Sequence, residues 1–268
     1  MRHPYLRYLR EETIPTVFCP GCGIGIIMKA FFEALDKLGI SELRGFVFVS
    51  GIGCSAWIPS PHFKADTIHT LHGRAIPVAT GVKLSRPDLN VIVFGGDGDI
   101  AGIGGNHLIH AARRNMDLMV IMVNNEVYGM TGGQVAPTTP LGFITTTTPY
   151  GNPEPPLDTC NVVATAGANY VARWTVGHYD KLVKSFVKAI DKGGFRFVEV
   201  LSPCTSRVSS RMGWTAAEHI KLLMKNTIPI EKVNRYTLEE IRGKYIIGVF
   251  KDADNPGYID RIKGGWNA

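Results

Sequence analysis

Four stretches of the chain are apolar at almost every position: FVFVS at 46–50, VIVF at 91–94, LMVIMV at 118–123 and FRFVEVL at 195–201. Short runs of this kind, rich in β-branched and aromatic residues, predict strands buried on both faces. Between them the pattern turns helical, near 23–38, 105–115, 160–168 and 179–192. The alternation predicts an α/β fold: a mostly parallel, doubly wound sheet with helices on both faces. Residues 131–158 are rich in Thr, Pro and Gly and predict a long loop. Loops of that length in a compact domain are functional or disordered. From 213 the character changes, with an amphipathic helix near 215–225, a short strand near 245–250 and a Gly-containing tail. The expected division is a main domain over 1–212 and a C-terminal extension over 213–268 that packs on a neighbouring subunit.

Composition narrows the class. A chain of 268 residues can bury one large core. Its 45% hydrophobic and 19% charged residues are those of a globular protein. No apolar run reaches the roughly 18 residues of a membrane span. The start, Met1 to Arg7, is basic but lacks the apolar core of a signal peptide. A cytoplasmic protein with no membrane partner is expected. In a reducing compartment the five cysteines are metal ligands or free thiols rather than disulfides. The net charge of +6 comes without a dense Lys/Arg block, so no nucleic-acid partner is expected. It fits an acidic protein or an anionic substrate.

The predicted strands also place the chemistry. Cys54 follows the first strand, Asp97 the second, Asn124 and Asn125 end or follow the third, and Cys204 follows the fourth. Parallel sheets bind ligands beyond the carboxyl ends of their strands. These residues therefore converge on one rim as a composite site. Gly96-Asp97-Gly98 sets a carboxylate in a tight turn, where glycines let backbone N–H groups approach a diphosphate. Asp97 would bind a hard cation such as Mg²⁺, with the Asn125 amide oxygen and the Val127 carbonyl as further oxygen ligands. By itself a GDG is equally a plain strand-to-helix turn with an Asp cap. The run GGDGD also touches the calcium-binding nonapeptide pattern, which requires tandem copies that this chain lacks.

Cys19, Cys22, Cys54 and Cys204 can hold an iron–sulfur cluster. A bare CxxC is also read as half of a Cys₄ zinc site, which uses two close pairs where this chain has one. A thioredoxin-like redox pair would need a strand before Cys19, and residues 13–17 are a poor one. Cys160 has no cysteine neighbour and reads as an ordinary buried thiol. His107 and His110 share a helix face and read as a solvated or packed pair.

The split pattern, GDG and then Asn-Asn 26 residues later, resembles the thiamine-diphosphate-binding motif. With NNEVYGMTGGQ at 124–134, CPGCG at 19–23, GIGCS at 51–55 and HGRA at 72–75, the chain resembles the β subunit of the 2-oxoacid:ferredoxin oxidoreductases over roughly residues 15–205. The segment Thr147 to Asn152 is similar to the 2-oxoglutarate branch.

The resemblance implies a thiamine-diphosphate-binding fold carrying the iron–sulfur ligands within 1–212. It implies three cofactors: thiamine diphosphate, Mg²⁺ and one [4Fe–4S] cluster. Cys19, Cys22, Cys54 and Cys204 would be the cluster ligands; Asp97, Asn125 and the Val127 carbonyl the Mg²⁺ ligands. Ile52, Gly53, Cys54, Ser55, His72, Gly73, Gly96, Gly98, Asp99, Gly129 and Met130 would wall the thiamine site. The implied reaction is CoA-dependent oxidative decarboxylation of a 2-oxoacid, 2-oxoglutarate in preference to pyruvate or a branched-chain acid, giving acyl-CoA, CO₂ and reduced ferredoxin. Trp57 stands where some members have a basic residue that meets the substrate carboxylate.

No glutamate on the predicted rim is placed to act on the aminopyrimidine ring; Glu126 is expected to turn toward the diphosphate. The family carries that glutamate on its α subunit, so the implied partners are an α subunit, γ and δ subunits, ferredoxin, coenzyme A and the 2-oxoacid. Two other readings keep part of the pattern: a non-catalytic, cluster-bearing electron-transfer subunit, and a zinc-stabilised thiamine enzyme without redox function.

Overall fold

The computed structural model describes residues 3–264. Met1 and Arg2 of the basic start, and residues 265–268 of the Gly-containing tail, lie outside the described residues.

The four apolar runs become strands of one eight-stranded sheet. Its strands, in chain order, are β1 (Phe46–Ser50), β2 (Asp66–His69), β3 (Asn90–Gly96), β4 (Met119–Asn124), β7 (Tyr170–Thr175), β8 (Arg196–Leu201), β9 (Thr227–Pro229) and β10 (Tyr245–Asp252). A separate hairpin pairs β5 (Val127–Tyr128) with β6 (Gln134–Val135). The spatial order is β2-β1-β3-β4-β8-β7-β10-β9. The first six are parallel, and β10 runs antiparallel to β7. The helices are α1 (Gly23–Lys37), α2 (Ala75–Ser85), α3 (Gly105–Arg114), α4 (Thr159–Ala166), α5 (Tyr179–Asp191), α6 (Ser210–Met212), α7 (Ala216–Lys225), α8 (Leu238–Ile241) and α9 (Tyr258–Lys263).

Alternate residues of each central strand feed two cores, as the period of two requires. Phe46, Phe48, Ile92, Phe94, Ile121 and Val200 pack under α1 and α5. Val47, Val49, Val91, Val93, Val120 and Phe197 pack under α2, α3 and α4. With both faces covered, strand β4 is buried at every position, which is why it reads as one continuous apolar run. The first core is aromatic: the Phe31 ring lies 5.4 to 6.0 Å from those of Phe48, Phe63, Phe94 and Phe186.

No break in the sheet falls at residue 212. The stretch expected as an extension supplies β10, which pairs with β7 along Gly248–Asp252. The long loop is fastened rather than loose. Asn152 Nδ2 donates to the carbonyls of Thr139, Pro140 and Glu154, and Thr145 and Thr148 bond one another at 2.7 Å. No helix among the described residues is long and apolar enough to cross a membrane.

Candidate active site

The sheet has its crevice where connections leave in opposite directions. The chain runs from β1 outward to β2, whereas from β3 it runs inward to β4. Between the carboxyl ends of β1 and β3 lies a pocket, at the position where open α/β sheets bind ligands. Its walls include Ile52, Gly53, Cys54, Ser55, His72, Gly96, Gly98, Asp99, Gly129 and Met130. Of the expected wall residues, Gly73 alone is not among them. Its N–H donates to Asp99 Oδ1 at 2.7 Å, from behind the pocket.

Asp99 ties the floor together. Its buried Oδ1 accepts from Ile52 N at 3.2 Å, Gly73 N at 2.7 Å and His72 Nδ1 at 2.7 Å. Two segments far apart in sequence, at Ile52 and at His72–Gly73, thus share one carboxylate oxygen. Oδ2 of the same carboxylate is buried and has no hydrogen-bond partner among the described residues. Gly98 must be glycine, because a Cβ there would lie 2.3 Å from the Tyr128 ring. Just beyond Asp97 the chain makes one wide π-helical turn, Gly98–Ile103, of the kind that recurs at functional sites.

Asp97, Asn125 and Val127 all line this pocket. Asp97 is 2% exposed, and burial lifts its carboxyl to about 6. The Thr138 hydroxyl and the N–H groups of Gly98 and Asn125 pull it back toward the charged form. A buried carboxylate with oxygen-bearing neighbours and no basic side chain bonded to it is suited to a hard cation. Among the described residues no three His, Cys, Asp or Glu side chains form a group that could hold a metal ion. The Mg²⁺ set read from the sequence has one carboxylate, one amide and one carbonyl, so a diphosphate would have to supply the remaining anionic ligands.

Glu126 corrects an expectation. Its φ is +66° and its side chain turns away from the pocket to bond the Tyr245 hydroxyl of β10. Burial raises its carboxyl to about 7, and the charges of Asp97 and Glu199 push the same way. Among the described residues no glutamate lines the pocket.

A second cavity adjoins the first. Cys19, Cys22, Cys54 and Cys204 all line it, with Val17, Phe18, Ile24 and Trp57. Burial raises the Cys22 thiol to about 11, helped by the charges of Cys204, Cys19 and Cys54. The Ile24 N–H, in the first turn of α1, favours the Cys22 thiolate. A Cys₄ zinc site needs Zn–S bonds near 2.3 Å, hence sulfurs only about 3.8 Å apart. No such compact group occurs among the described residues. Four thiols around one cavity are a donor set of the kind that holds an iron–sulfur centre. The two cavities share Cys54, Asn125 and Met130 as a common wall.

Several contributors escape the sequence pattern. Tyr128 and Thr131 line the pocket, and Thr138 reaches Asp97 from the long loop. Arg207 is an exposed cation at the rim, its Nε donating to the Gly129 carbonyl at 3.2 Å. Only the nearness of Tyr128 to the Asn-Asn motif could have signalled any of these. Conversely, Thr147 to Asn152 line neither cavity; Thr147 Oγ1 accepts from Val135 N at 3.0 Å inside the loop. Cys160 is fully buried and its thiol donates to Glu199 Oε2 at 3.3 Å.

Known proteins share this arrangement. Residues 51–200 match the family of thiamine pyrophosphate enzymes at their C-terminal, thiamine pyrophosphate-binding domain. A 2-oxoglutarate synthase subunit KorB from Methanocaldococcus jannaschii is 47% identical, over 97% of this chain and 96% of that one. The subunit of the same name from Methanothermobacter marburgensis is 48% identical, over 98% and 92%. A solved 2-oxoglutarate:ferredoxin oxidoreductase from Magnetococcus marinus, with 2-oxoglutarate, coenzyme A and succinyl-CoA bound, matches with a TM-score of 0.83. It is 34% identical, over 96% of this chain and 87% of that one. The chain belongs to the β subunits of the 2-oxoacid:ferredoxin oxidoreductases, a family of thiamine-dependent oxidoreductase subunits that work with partner subunits.

Proposed function

We propose that this chain is the cofactor-bearing half of a 2-oxoglutarate:ferredoxin oxidoreductase, converting 2-oxoglutarate and coenzyme A to succinyl-CoA, CO₂ and reduced ferredoxin. One observation carries the reading: the rim pocket and the four-cysteine cavity share the wall of Cys54, Asn125 and Met130. Carbon chemistry and electron removal would then take place side by side. When bound, thiamine diphosphate supplies a carbon nucleophile and electron sink, Mg²⁺ neutralises its diphosphate, and a [4Fe–4S] cluster accepts electrons singly. The chain's own residues hold and orient these groups. Asp97, the Asn125 amide and the Val127 carbonyl would hold the cation. Asp99 fixes the Ile52–Ser55 and His72–Gly73 loops as walls. Cys19, Cys22, Cys54 and Cys204 would hold the cluster at the apolar side of the shared wall. We place the protein in the cytoplasm, where its thiols stay reduced, with ferredoxin as electron acceptor and γ and δ subunits completing the complex.

Among the described residues no glutamate lines the pocket, and Glu126 is engaged by Tyr245. The acid–base partner for the aminopyrimidine ring must therefore come from the α subunit. The purified chain alone is expected to give no 2-oxoacid-dependent dye reduction, and adding the α subunit should restore it. Turnover by the rigorously purified lone chain would mean that an internal acid has been overlooked. An anaerobic visible spectrum, with iron and thiamine diphosphate assayed in the same sample, tests the cofactor set directly.

The names of the relatives and the bound 2-oxoglutarate of the Magnetococcus marinus protein support the substrate assignment. The assembled complex is expected to favour 2-oxoglutarate over pyruvate in kcat/KM by at least about a hundredfold, since a site built to pair a distal carboxylate loses that pairing with pyruvate. Equal or reversed preference would reject the substrate while leaving the reaction class in place.

A further inference from the structure

Thr205 directly follows Cys204 and lines the four-cysteine cavity. Its methyl group faces the Cys19–Cys22 loop: a Cβ placed on Gly21 would lie 3.6 Å from Thr205 Cγ2. Its hydroxyl oxygen is buried and has no hydrogen-bond partner among the described residues. A buried hydroxyl left without a partner is destabilising, and each such group calls for an explanation. The surrounding walls offer it little. Val17, Phe18, Ile24 and Trp57 carry no side-chain acceptor. The Asn125 amide oxygen already accepts from Val127 N at 3.3 Å. The Ser206 hydroxyl lies 3.9 Å from Cys204 Sγ.

We propose that the Thr205 hydroxyl is a built-in hydrogen-bond donor to the sulfur-rich group the four cysteines hold, and that it raises the reduction potential of that group. The proposal rests on the reading of these cysteines as [4Fe–4S] ligands. Reduction adds negative charge to the sulfurs, so a donor stabilises the reduced form more than the oxidised one. Removing the donor lowers the midpoint potential. Thr205 is thus a positioning and tuning residue that acts through the cluster and touches no substrate.

A comparison residue lies nearby. Ser202 Oγ is also buried and unpartnered among the described residues. It does not line the cavity but sits against Gly23, where a Cβ would come within 2.3 Å of it. The test is an anaerobic redox titration of the full chain, followed by electron paramagnetic resonance, with iron assayed in each sample. Thr205→Val keeps the shape and loses the donor. It should retain iron while its reduced form becomes about tenfold less favoured, a downward shift of about 59 mV for one electron. Thr205→Ser should restore the wild-type potential, and Ser202→Ala should not move it. An iron-loaded Thr205→Val chain at the wild-type potential would overturn the proposal, as would an equal shift in Ser202→Ala. If Thr205→Val does not load iron, Thr205→Ala takes its place in the titration: a downward shift supports the proposal and an unmoved potential overturns it. A wild-type chain that binds no iron would instead reject the cluster assignment itself.

Discussion

Asp97→Ala should strip thiamine diphosphate from the protein in Mg²⁺ buffer, with affinity falling on the order of a thousandfold, about 4 kcal/mol. The size follows from the site. Asp97 is the one carboxylate among the three proposed oxygen ligands, and it is 2% exposed. Water cannot readily replace its charge there, and Asn125 and Val127 offer only neutral oxygens. The fold should survive, because Asp97 lies just past the end of β3 and removing it also removes a costly buried carboxyl. Thiamine diphosphate retained after gel filtration is the measurement, with circular dichroism as the check on folding. Chelating the metal from the wild-type protein should reproduce the variant's loss. Full cofactor occupancy in folded Asp97→Ala would remove this residue from the metal site.

Cys204→Ser should separate the two cavities functionally. Cys204 is buried and lines only the four-cysteine cavity, whereas Cys54 belongs to both. Losing a direct ligand should exceed the roughly 10–100-fold penalty typical of outer-shell partners. Iron content and ferredoxin reduction should fall together by about that factor or more. The Asp97 and Asn125 loops stay intact, so the complex with its α subunit should still release labelled CO₂ from a 1-¹⁴C 2-oxoacid. Near-neighbour damage is detectable, because Gly129 packs against Cys204, where a Cβ would lie 3.3 Å from the sulfur. Retained thiamine diphosphate in the variant would show that this contact has not collapsed the pocket. Normal ferredoxin reduction in a folded variant would mean that Cys204 is no ligand or that the cluster is off the electron path.

The central sheet was legible because strands buried on both faces leave continuous apolar runs, and β1, β3, β4 and β8 appear within a few residues of their expected bounds. Strand β7 was not. Its sequence, YVARWT, puts Arg173 in the middle of the strand. Arg173 is tolerated there because Glu199 accepts from it at 2.9 Å and Asp158 at 2.7 Å, partners 26 and 15 residues away. A period-based reading cannot see such a pairing. Strand β2 is a short, polar edge strand, and α2 carries Pro77 in its first turn and Gly81 near its end, so neither announces itself. The site was legible where it is made of motif residues at strand ends. Thr138 and Arg207 were not, since they reach the rim from segments whose placement only the folded chain defines. Glu126 was misread for the same reason: its partner, Tyr245, lies 119 residues away.

That distant partner has a bearing on how the protein is made. The cysteine loop is braced by the start of α7, where a Cβ on Gly21 would come within 2.7 Å of Ala216 Cβ. The Asn125–Val127 loop is braced through Glu126 by Tyr245 on β10, the strand that pairs with β7. Both braces come from residues far later in the chain than the loops they touch. Domains form during synthesis from the amino end onward, and these two contacts can form only once residues near 216 and 245 have emerged. A chain made only as far as residue 215 would therefore lack both contacts, and the proposed cofactor sites would be completed only when these later residues fold back onto them.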